Sequence, residues 1–111
     1  MKKIMLMTIG TGKNVYEAIT KSLAEANPSY LYMFGTEDSK KTLNDVIKKI
    51  TEEDYLKNDE YEFIVITDPN DHYIVFSKVA EIIEKYKENG LPDNRFVVDY
   101  ASDGNNGYFY G

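Results

Sequence analysis

The chain lacks several residue types on which whole classes of site depend. It has no cysteine, 3 prolines and a single histidine among its 111 residues. The absence of cysteine excludes disulfides, thiolate nucleophiles and zinc–thiolate sites. No apolar run approaches the roughly 20 residues that cross a bilayer, and the apolar segment near the N-terminus is too short for a signal peptide. We therefore expect a cytoplasmic protein that does not bind membranes.

Positive charge is also in short supply. The chain has 13 Lys and Arg residues against 19 Asp and Glu, a formal net charge of −6. Because non-specific affinity for DNA and RNA depends on many Lys and Arg contacts, we expect no long nucleic acid as a partner. A small anion bound at one place is compatible with this charge.

Apolar residues are present in sufficient number for one core. They make up 42% of the chain, and aromatic residues make up 14%. We expect residues 1–111 to form a single domain. Because so small a domain buries proportionally little surface by itself, a homodimer is expected as well.

Apolar runs alternate with stretches of helical periodicity along the chain. The runs predict strands at residues 2–9, 30–34, 63–66 and 95–100, and a helical pattern follows each of the first three. Residues 108–110 form either a short edge strand or a frayed end. Strands without polar alternation, joined by helices, are typical of a parallel sheet covered on both faces. The sequence therefore predicts an α/β fold, a Rossmann-like three-layer sandwich with a mainly parallel central sheet.

Four loops rich in Gly, Thr, Ser, Asn and Asp follow the predicted strands. They span residues 8–14, 35–39, 67–72 and 99–106. Because ligands of such sheets bind at the carboxyl ends of the strands, we expect these loops to form one site. The predicted ligand-binding residues are Thr8, Gly10, Thr11, Gly12, Lys13, Asn14, Thr36, Ser39, Thr67, Asp68, Asn70, Asp99, Tyr100, Ser102, Asn105 and Asn106.

The first loop, with Gly-Thr-Gly-Lys at residues 10–13, is the most informative of the four. Its glycines let the backbone approach a ligand, and the free amides of the next helix, with the hydroxyls of Thr8 and Thr11, suit an anion. A phosphate beside the Lys13 ammonium is the natural ligand, although the glycines alone also make a tight turn. The segment is not a Walker A loop, because Asn14 follows the lysine, and it lacks the third glycine of the dinucleotide fingerprint.

The second and third loops offer capping and titratable side chains. Asp38 or Ser39 is available to cap the helix after the second strand, which explains that loop without any ligand. His72 ordinarily titrates near neutrality, but a single histidine in the first turn of a helix is more often solvated surface than catalytic. One imidazole with scattered carboxylates is no recognisable ligand set, so we expect neither a metal nor a cofactor.

Four segments occur in a characteristic order along nearly the whole chain. They are Met-Thr-Ile-Gly-Thr-Gly at 7–12, Phe-Gly-Thr-Glu-Asp-Ser at 34–39, Asp-Pro-Asn-Asp at 68–71 and Val-Val-Asp-Tyr at 97–100. Their order and spacing resemble the CARF domains, the Rossmann-fold sensor modules of type III CRISPR systems that bind cyclic oligoadenylates. Members of that family usually continue with a Ser/Thr-Gly-Gly-Thr-Lys loop, a helix and another strand. This chain has Ala-Ser-Asp-Gly-Asn-Asn-Gly at 101–107 instead, without the basic contact.

The resemblance implies a homodimer in which the loops of two copies form one floor for a cyclic tetra- or hexa-adenylate. It implies a stand-alone sensor, with no effector domain attached, that either sequesters this messenger or degrades it as a metal-independent ring nuclease. In that reaction the ribose 2′-hydroxyl attacks its own phosphodiester and leaves a 2′,3′-cyclic phosphate. The expected catalytic contacts to the phosphate are Thr11, Lys13 and Ser39, and the residues available to adenine are Tyr100, Asn105 and Asn106.

A second resemblance leads to a different class of protein. Residues 8–14 are also similar to the phosphate loop of flavodoxins, acidic electron carriers that bind FMN between aromatic residues. Tyr100, Tyr108 and Tyr110 are available to stack on a flavin ring. Flavodoxins have longer chains and a T-x-T-G-x-T loop, in which Gly10 and Asn14 of this chain replace threonines. A third alternative is an interaction module with an empty cleft.

Overall fold

Helices and strands alternate along the computed structural model, which describes residues 2–9, 15–57, 59–68, 72–99 and 108–109. A single 3-10 turn, Asp93–Arg95, precedes the fourth strand. No helix within these ranges is long and apolar enough to cross a membrane. The elements in chain order are β1 (Ile4–Thr8), α1 (Val15–Ala26), β2 (Tyr30–Gly35), α2 (Glu37–Glu52), β3 (Tyr61–Val65), α3 (His72–Glu88), β4 (Phe96–Asp99) and β5 (Tyr108–Phe109).

The described strands form one five-stranded sheet in the order β3-β2-β1-β4-β5. Strands β1 to β4 are parallel, and β5 pairs antiparallel with β4 at the edge, where Asp99 lies opposite Tyr108. The predicted α/β class and its mainly parallel, Rossmann-like sheet are thus confirmed. Of the two alternatives for residues 108–110, the edge strand is found, over residues 108–109.

Side chains of the central strand alternate between two cores. Met5 and Met7 pack with α1 and α2 on one face of the sheet, whereas Ile4 and Leu6 pack with α3 on the other. This division follows from right-handed crossovers, because the chain moves in one direction from β1 to β3 and in the opposite direction from β3 to β4. The reversal places a topological switch point between the carboxyl ends of β1 and β4, where ligands of such sheets bind.

Helix α2 begins one residue after Thr36, which has an extended backbone and caps the helix. Its hydroxyl accepts a hydrogen bond from the Ser39 amide at 3.2 Å. The expectation that Asp38 or Ser39 caps this helix was therefore wrong. Both residues already lie in the first turn, so their own amides are among those that need a partner. The negative charges of Glu37 and Asp38 in this turn interact favourably with the positive end of the helix dipole.

Helix α3 ends at Glu88, directly before the Asn-Gly pair of residues 89 and 90. Gly90 has a φ of 93°, a conformation that glycine adopts without a steric penalty. Its amide donates to the carbonyl of Lys87, and the Leu91 amide donates to that of Tyr86. This pair of bonds is a Schellman motif, which satisfies two carbonyls at the end of the helix.

An aromatic cluster connects β2 to α3. The ring centroids of Tyr30 and Tyr32 are 4.9 Å apart, and the hydroxyls of Tyr32 and Tyr86 are 2.8 Å apart. Burial, followed by the bond to Tyr86, raises the pKa of the Tyr32 phenol. Burial also raises the pKa of the Tyr30 phenol. Tyr30 and Tyr32 pack against the core on this face of the sheet. This is the simplest role for tyrosines in a strand.

These shifts predict a loss of stability at high pH. The folded-state pKa of Tyr32 lies above its value in the unfolded chain, about 10. Its contribution to the free energy of unfolding is therefore complete below about pH 10 and is lost as pH rises through the folded pKa. Urea unfolding at several pH values between about 9 and 12 should show this decline, with a shallower decline for Tyr32→Phe. Equal slopes for the two proteins above about pH 10 would contradict the assignment.

Candidate functional site

The candidate site is the edge of the sheet at which β1 to β4 end. At this edge Thr8 lies opposite Phe34, Met7 lies opposite Asp99, and Gly35 lies opposite Val65. The predicted ligand-binding residues within the described ranges are Thr8, Thr36, Ser39, Thr67, Asp68 and Asp99. Those outside the described ranges are Gly10, Thr11, Gly12, Lys13, Asn14, Asn70, Tyr100, Ser102, Asn105 and Asn106.

Ile9 lies just before residues 10–14, which we call the glycine loop, and its backbone is fixed by two hydrogen bonds. The Ile9 amide donates to the Phe34 carbonyl at 2.8 Å. The Ile9 carbonyl accepts from the Ser39 hydroxyl at 3.2 Å. Strand β2 and helix α2 together therefore set the direction in which the backbone leaves β1.

Ser39 lies beneath the surface of the site. It is 2% exposed, and its hydroxyl is 3.1 Å from that of Thr36. In this structure its hydroxyl holds the carbonyl of Ile9, the last described residue of that segment. The predicted phosphate contact of Ser39 stays a prediction, and it requires the bond to Ile9 to be exchanged for one to the ligand.

Gly35 lies at the crossing of β1, β2, β3 and α2, where there is no space for a side chain. A Cβ at this position would lie 3.0 Å from Phe63 Cζ, 3.0 Å from Ser39 Cβ and 3.1 Å from the Ile9 carbonyl oxygen. The glycine therefore permits the close approach that the bond between Ser39 and Ile9 needs. Sequence reasoning placed Gly35 only in a loop, although a glycine at the end of an apolar strand often marks such an approach.

Asp99, at the end of β4, faces helix α1 and is fully buried. Its Oδ2 accepts a hydrogen bond from the Ser22 hydroxyl at 2.5 Å, and Ser22 is 2% exposed. The pair ties the end of β4 to α1 beside the switch point. Asp99 was predicted to contact a ligand, whereas its carboxylate accepts a hydrogen bond from Ser22 inside the protein. The other buried residues of α1 are apolar, so the hydroxyl of Ser22 among them is the one signal of this role in the sequence.

A third set of contacts fixes the first turn of α1, which begins directly after the glycine loop. The Tyr16 hydroxyl donates to Glu53 Oε2 at 2.5 Å, and Lys49 Nζ lies 4.1 Å from the ring centroid of Tyr16. The bond to Glu53 raises the pKa of Tyr16 to about 12. The start of α1 is thus connected to the end of α2.

The more accessible side chains of the site are hydroxyls and one carboxylate. Thr67 and Asp68 are exposed, and Thr8 and Thr36 are half-buried. Within the described part of the chain, no group of three or more His, Asp or Glu residues is arranged to hold a metal ion. This part of the edge offers hydrogen bonds to a polar ligand.

Comparison of the chain with models of protein families, with curated proteins and with solved structures returned no match.

Gly35→Ala tests the close approach of β1, β2 and α2. We expect a loss of about 1–3 kcal/mol in the free energy of unfolding, because the added methyl group meets backbone and Cβ atoms that have little room to move. Hydrogen exchange should accelerate at the Ile9 amide, which bonds to β2. Gly90→Ala is the control, since nothing lies within 4 Å of its added Cβ and its effect comes from the positive φ alone. Unchanged exchange at Ile9 in Gly35→Ala would contradict the packing argument.

Ser22→Ala tests the tie between α1 and β4. Removal of the donor to a fully buried carboxyl group should lower the free energy of unfolding by about 1–3 kcal/mol. Ser77→Ala, at an exposed position of α3, is the matched control and should change stability by less than about 0.5 kcal/mol. Both values come from urea unfolding. Equal stability of the two variants would show that Asp99 does not depend on Ser22.

Proposed function

We propose that this chain binds cyclic oligoadenylate in a cleft made by the carboxyl ends of the strands in two copies. The observation that supports this most is the register of the sheet. Thr8 ends β1 beside Phe34 of β2, and Met7 lies beside Asp99 of β4. Three of the four segments that resemble CARF domains therefore contain strand ends that lie side by side, next to the topological switch point between β1 and β4.

Phosphate recognition in this proposal belongs to the loop between β1 and α1. The loop leaves β1 at Ile9, whose amide and carbonyl are both bonded, and α1 begins at Val15. The free amides of a helix start carry partial positive charge. The first turn of α2 is a poorer place for an anion, because it already holds Glu37 and Asp38. Lys13 supplies the full positive charge.

The acidity of the chain restricts the ligand to one with few phosphates. A net charge of −6 opposes a long polyanion, whereas a ring of four or six nucleotides presents a few phosphates to amides and hydroxyls. In a two-fold dimer each loop meets a symmetric ring once per subunit. Adenine edges then find Tyr100, Asn105 and Asn106 from the loop after β4.

The proposed site either sequesters the ring or cleaves it, and cleavage would be the following step. The ribose 2′-oxygen bonds to its own phosphorus, the bond from phosphorus to the 5′-oxygen breaks, and the product keeps a 2′,3′-cyclic phosphate. The proton of the 2′-hydroxyl passes to solvent, and the leaving 5′-oxygen takes up a proton. Lys13 and Thr11 stabilise the charge on the phosphate, and the site holds the 2′-oxygen in line with the bond that breaks.

Calorimetry with cyclic tri-, tetra- and hexa-adenylate tests binding. We expect saturable heat for the tetra- or the hexa-adenylate, with one ring bound per two chains. Lys13→Gln should weaken binding by at least about tenfold, because charged hydrogen bonds to phosphate are strong. Lys85→Gln is the matched control, since the Lys85 side chain is 74% exposed on α3.

The absence of saturable heat with every ring size at micromolar protein would refute the proposal. The same titration, run with labelled cyclic tetra-adenylate and a metal chelator, separates sequestration from cleavage. Cleavage yields a linear product with a 2′,3′-cyclic phosphate, and sequestration leaves the ring intact. A yellow purified protein with a flavin absorbance spectrum would favour the flavodoxin alternative instead.

A further inference from the structure

Strand β3 forms one edge of the sheet, and six of its ten backbone groups face away from β2. The Leu31 amide donates to the Glu60 carbonyl at 2.9 Å, and the Ile66 amide donates to the Gly35 carbonyl at 2.7 Å. Alternate residues of a parallel strand point both backbone groups to the same neighbour. Residues 60, 62, 64 and 66 therefore face β2. The amides and carbonyls of Tyr61, Phe63 and Val65 face outward.

No described strand pairs with this side of β3. Three residues with one amide and one carbonyl each give six groups, and none of the six has a hydrogen-bond partner within the described ranges. Exposed edges are ordinarily protected by lysine, proline or a bulge. The sequence of β3 is Tyr-Glu-Phe-Ile-Val, with Glu62 as its one charge and four half-buried apolar or aromatic residues.

We propose that a second copy of this chain pairs with this edge, antiparallel and centred on Phe63. In this register Phe63 lies opposite Phe63 of the second copy, and Tyr61 lies opposite Val65. All three outward residues of each copy then face outward residues of the other, and all six groups of each strand form hydrogen bonds. A two-fold axis midway between the two Phe63 residues generates the pairing, so one surface serves both copies.

Of the two neighbouring registers, the one centred on Glu62 is less favourable than the proposed register for two reasons. Centred on Glu62, the pairing sets Glu62 directly against Glu62 of the second copy, and like charges opposite each other are destabilising. It also leaves Val65 without a partner among the outward residues. Centred on Phe63, each Glu62 lies opposite Ile64 instead, on the face of the sheet that α3 covers.

This interface does not depend on the proposed nucleotide cleft. The cleft lies where the strands end, whereas the β3 surface runs along the side of the sheet, three strands from β4. Pairing through β3 joins two five-stranded sheets into one continuous sheet. Because the paired β3 strands are antiparallel, the carboxyl ends of the two copies lie at opposite edges of this sheet, so the cleft of the proposed function is a separate pairing with a further copy.

Disulfide trapping is the decisive experiment, because the chain has no cysteine of its own. Residues 62 and 64 of opposite copies form a non-hydrogen-bonded pair, with Cα atoms about 4.5 Å apart, within the range of a disulfide. Two copies of residue 62 are diagonal neighbours about 7–8 Å apart. A mixture of Glu62→Cys and Ile64→Cys chains should therefore form a covalent heterodimer on mild oxidation. Each variant alone should stay largely uncrosslinked.

Lys85→Cys, mixed with Glu62→Cys, is the control for random collisions, because Lys85 is exposed on α3. Circular dichroism establishes that each variant is folded. A mixture that crosslinks no faster than this control overturns the proposal. So does equally fast crosslinking of either single variant, because it indicates another register.

Sedimentation of the protein without cysteines supplies an independent measurement. Val65→Pro removes an outward amide but no bond to β2, so it should weaken self-association by at least about tenfold, whereas Val65→Thr should not. Unaltered association in Val65→Pro, or a monomeric protein up to about 0.5 mM, overturns the proposal. If the protein shows no affinity for nucleotide but still forms the disulfide between residues 62 and 64, the pairing through β3 is supported and the proposed function is not.

Discussion

The central position of β1 is the constraint on which the rest of the structure depends. It bonds to β2 on one side and to β4 on the other, so it has no free edge, and helices pack on both of its faces. Ile4, Met5 and Leu6 are all 0% exposed. A chain that starts at β1 and places β2 and β3 on one side of it has to reverse direction to reach the other side of β1. Because the crossovers are right-handed, the reversal also changes the face of the sheet on which the helix packs. That reversal separates α3 from α1 and α2, and it places the end of β1 between two neighbouring strand ends. Both the cores and the candidate site follow from it.

Small hydroxyl side chains on the helices fix the strand ends around this centre. Ser39 holds the Ile9 carbonyl, and Ser22 holds the Asp99 carboxylate. The net contribution of one such bond is only about 1 kcal/mol, but a buried polar group that loses a partner costs about 1–3 kcal/mol. The positions of the strand ends therefore depend more on the cost of leaving buried polar groups unsatisfied than on the strength of each hydrogen bond. Loops that start from such defined points hold a ligand with less loss of conformational entropy.

The fold was predictable because its physical causes are local in the sequence. Buried parallel strands appear as continuous apolar runs, and the Asn-Gly pair after α3 marks the end of that helix. The cap of α2 was assigned to the wrong residue because Thr36, Asp38 and Ser39 are all capable of capping within four positions. The choice between them depends on which residue keeps an extended backbone, and that depends on how β2 ends against its neighbours. Spacing alone does not contain this information.

The site was predictable in its place but not in its internal contacts. Strand ends carry the polar residues, and the rule for parallel sheets brings them together. That Asp99 turns toward α1, however, is decided by the two-residue alternation of β4, which puts Asp99 on the same face as Val97. Ser22 meets it only because α1 crosses that face. Contacts between residues 77 positions apart in the chain depend on the packing of helix against sheet, which follows from the whole set of crossovers.

Two acidic chains that share an anionic ligand need a local source of positive potential. Charges further than about 8–10 Å from the cleft are largely screened at physiological salt, so the net charge of −6 acts mainly through the groups nearest the ligand. Among those, Glu37 and Asp38 lie at the start of α2, on the side of β1 toward β2. The start of α1 and Lys13 therefore carry the attraction in the proposed function. The β3 edge, by contrast, needs no such source, because its bonds join neutral backbone groups and its register keeps the two Glu62 carboxylates apart.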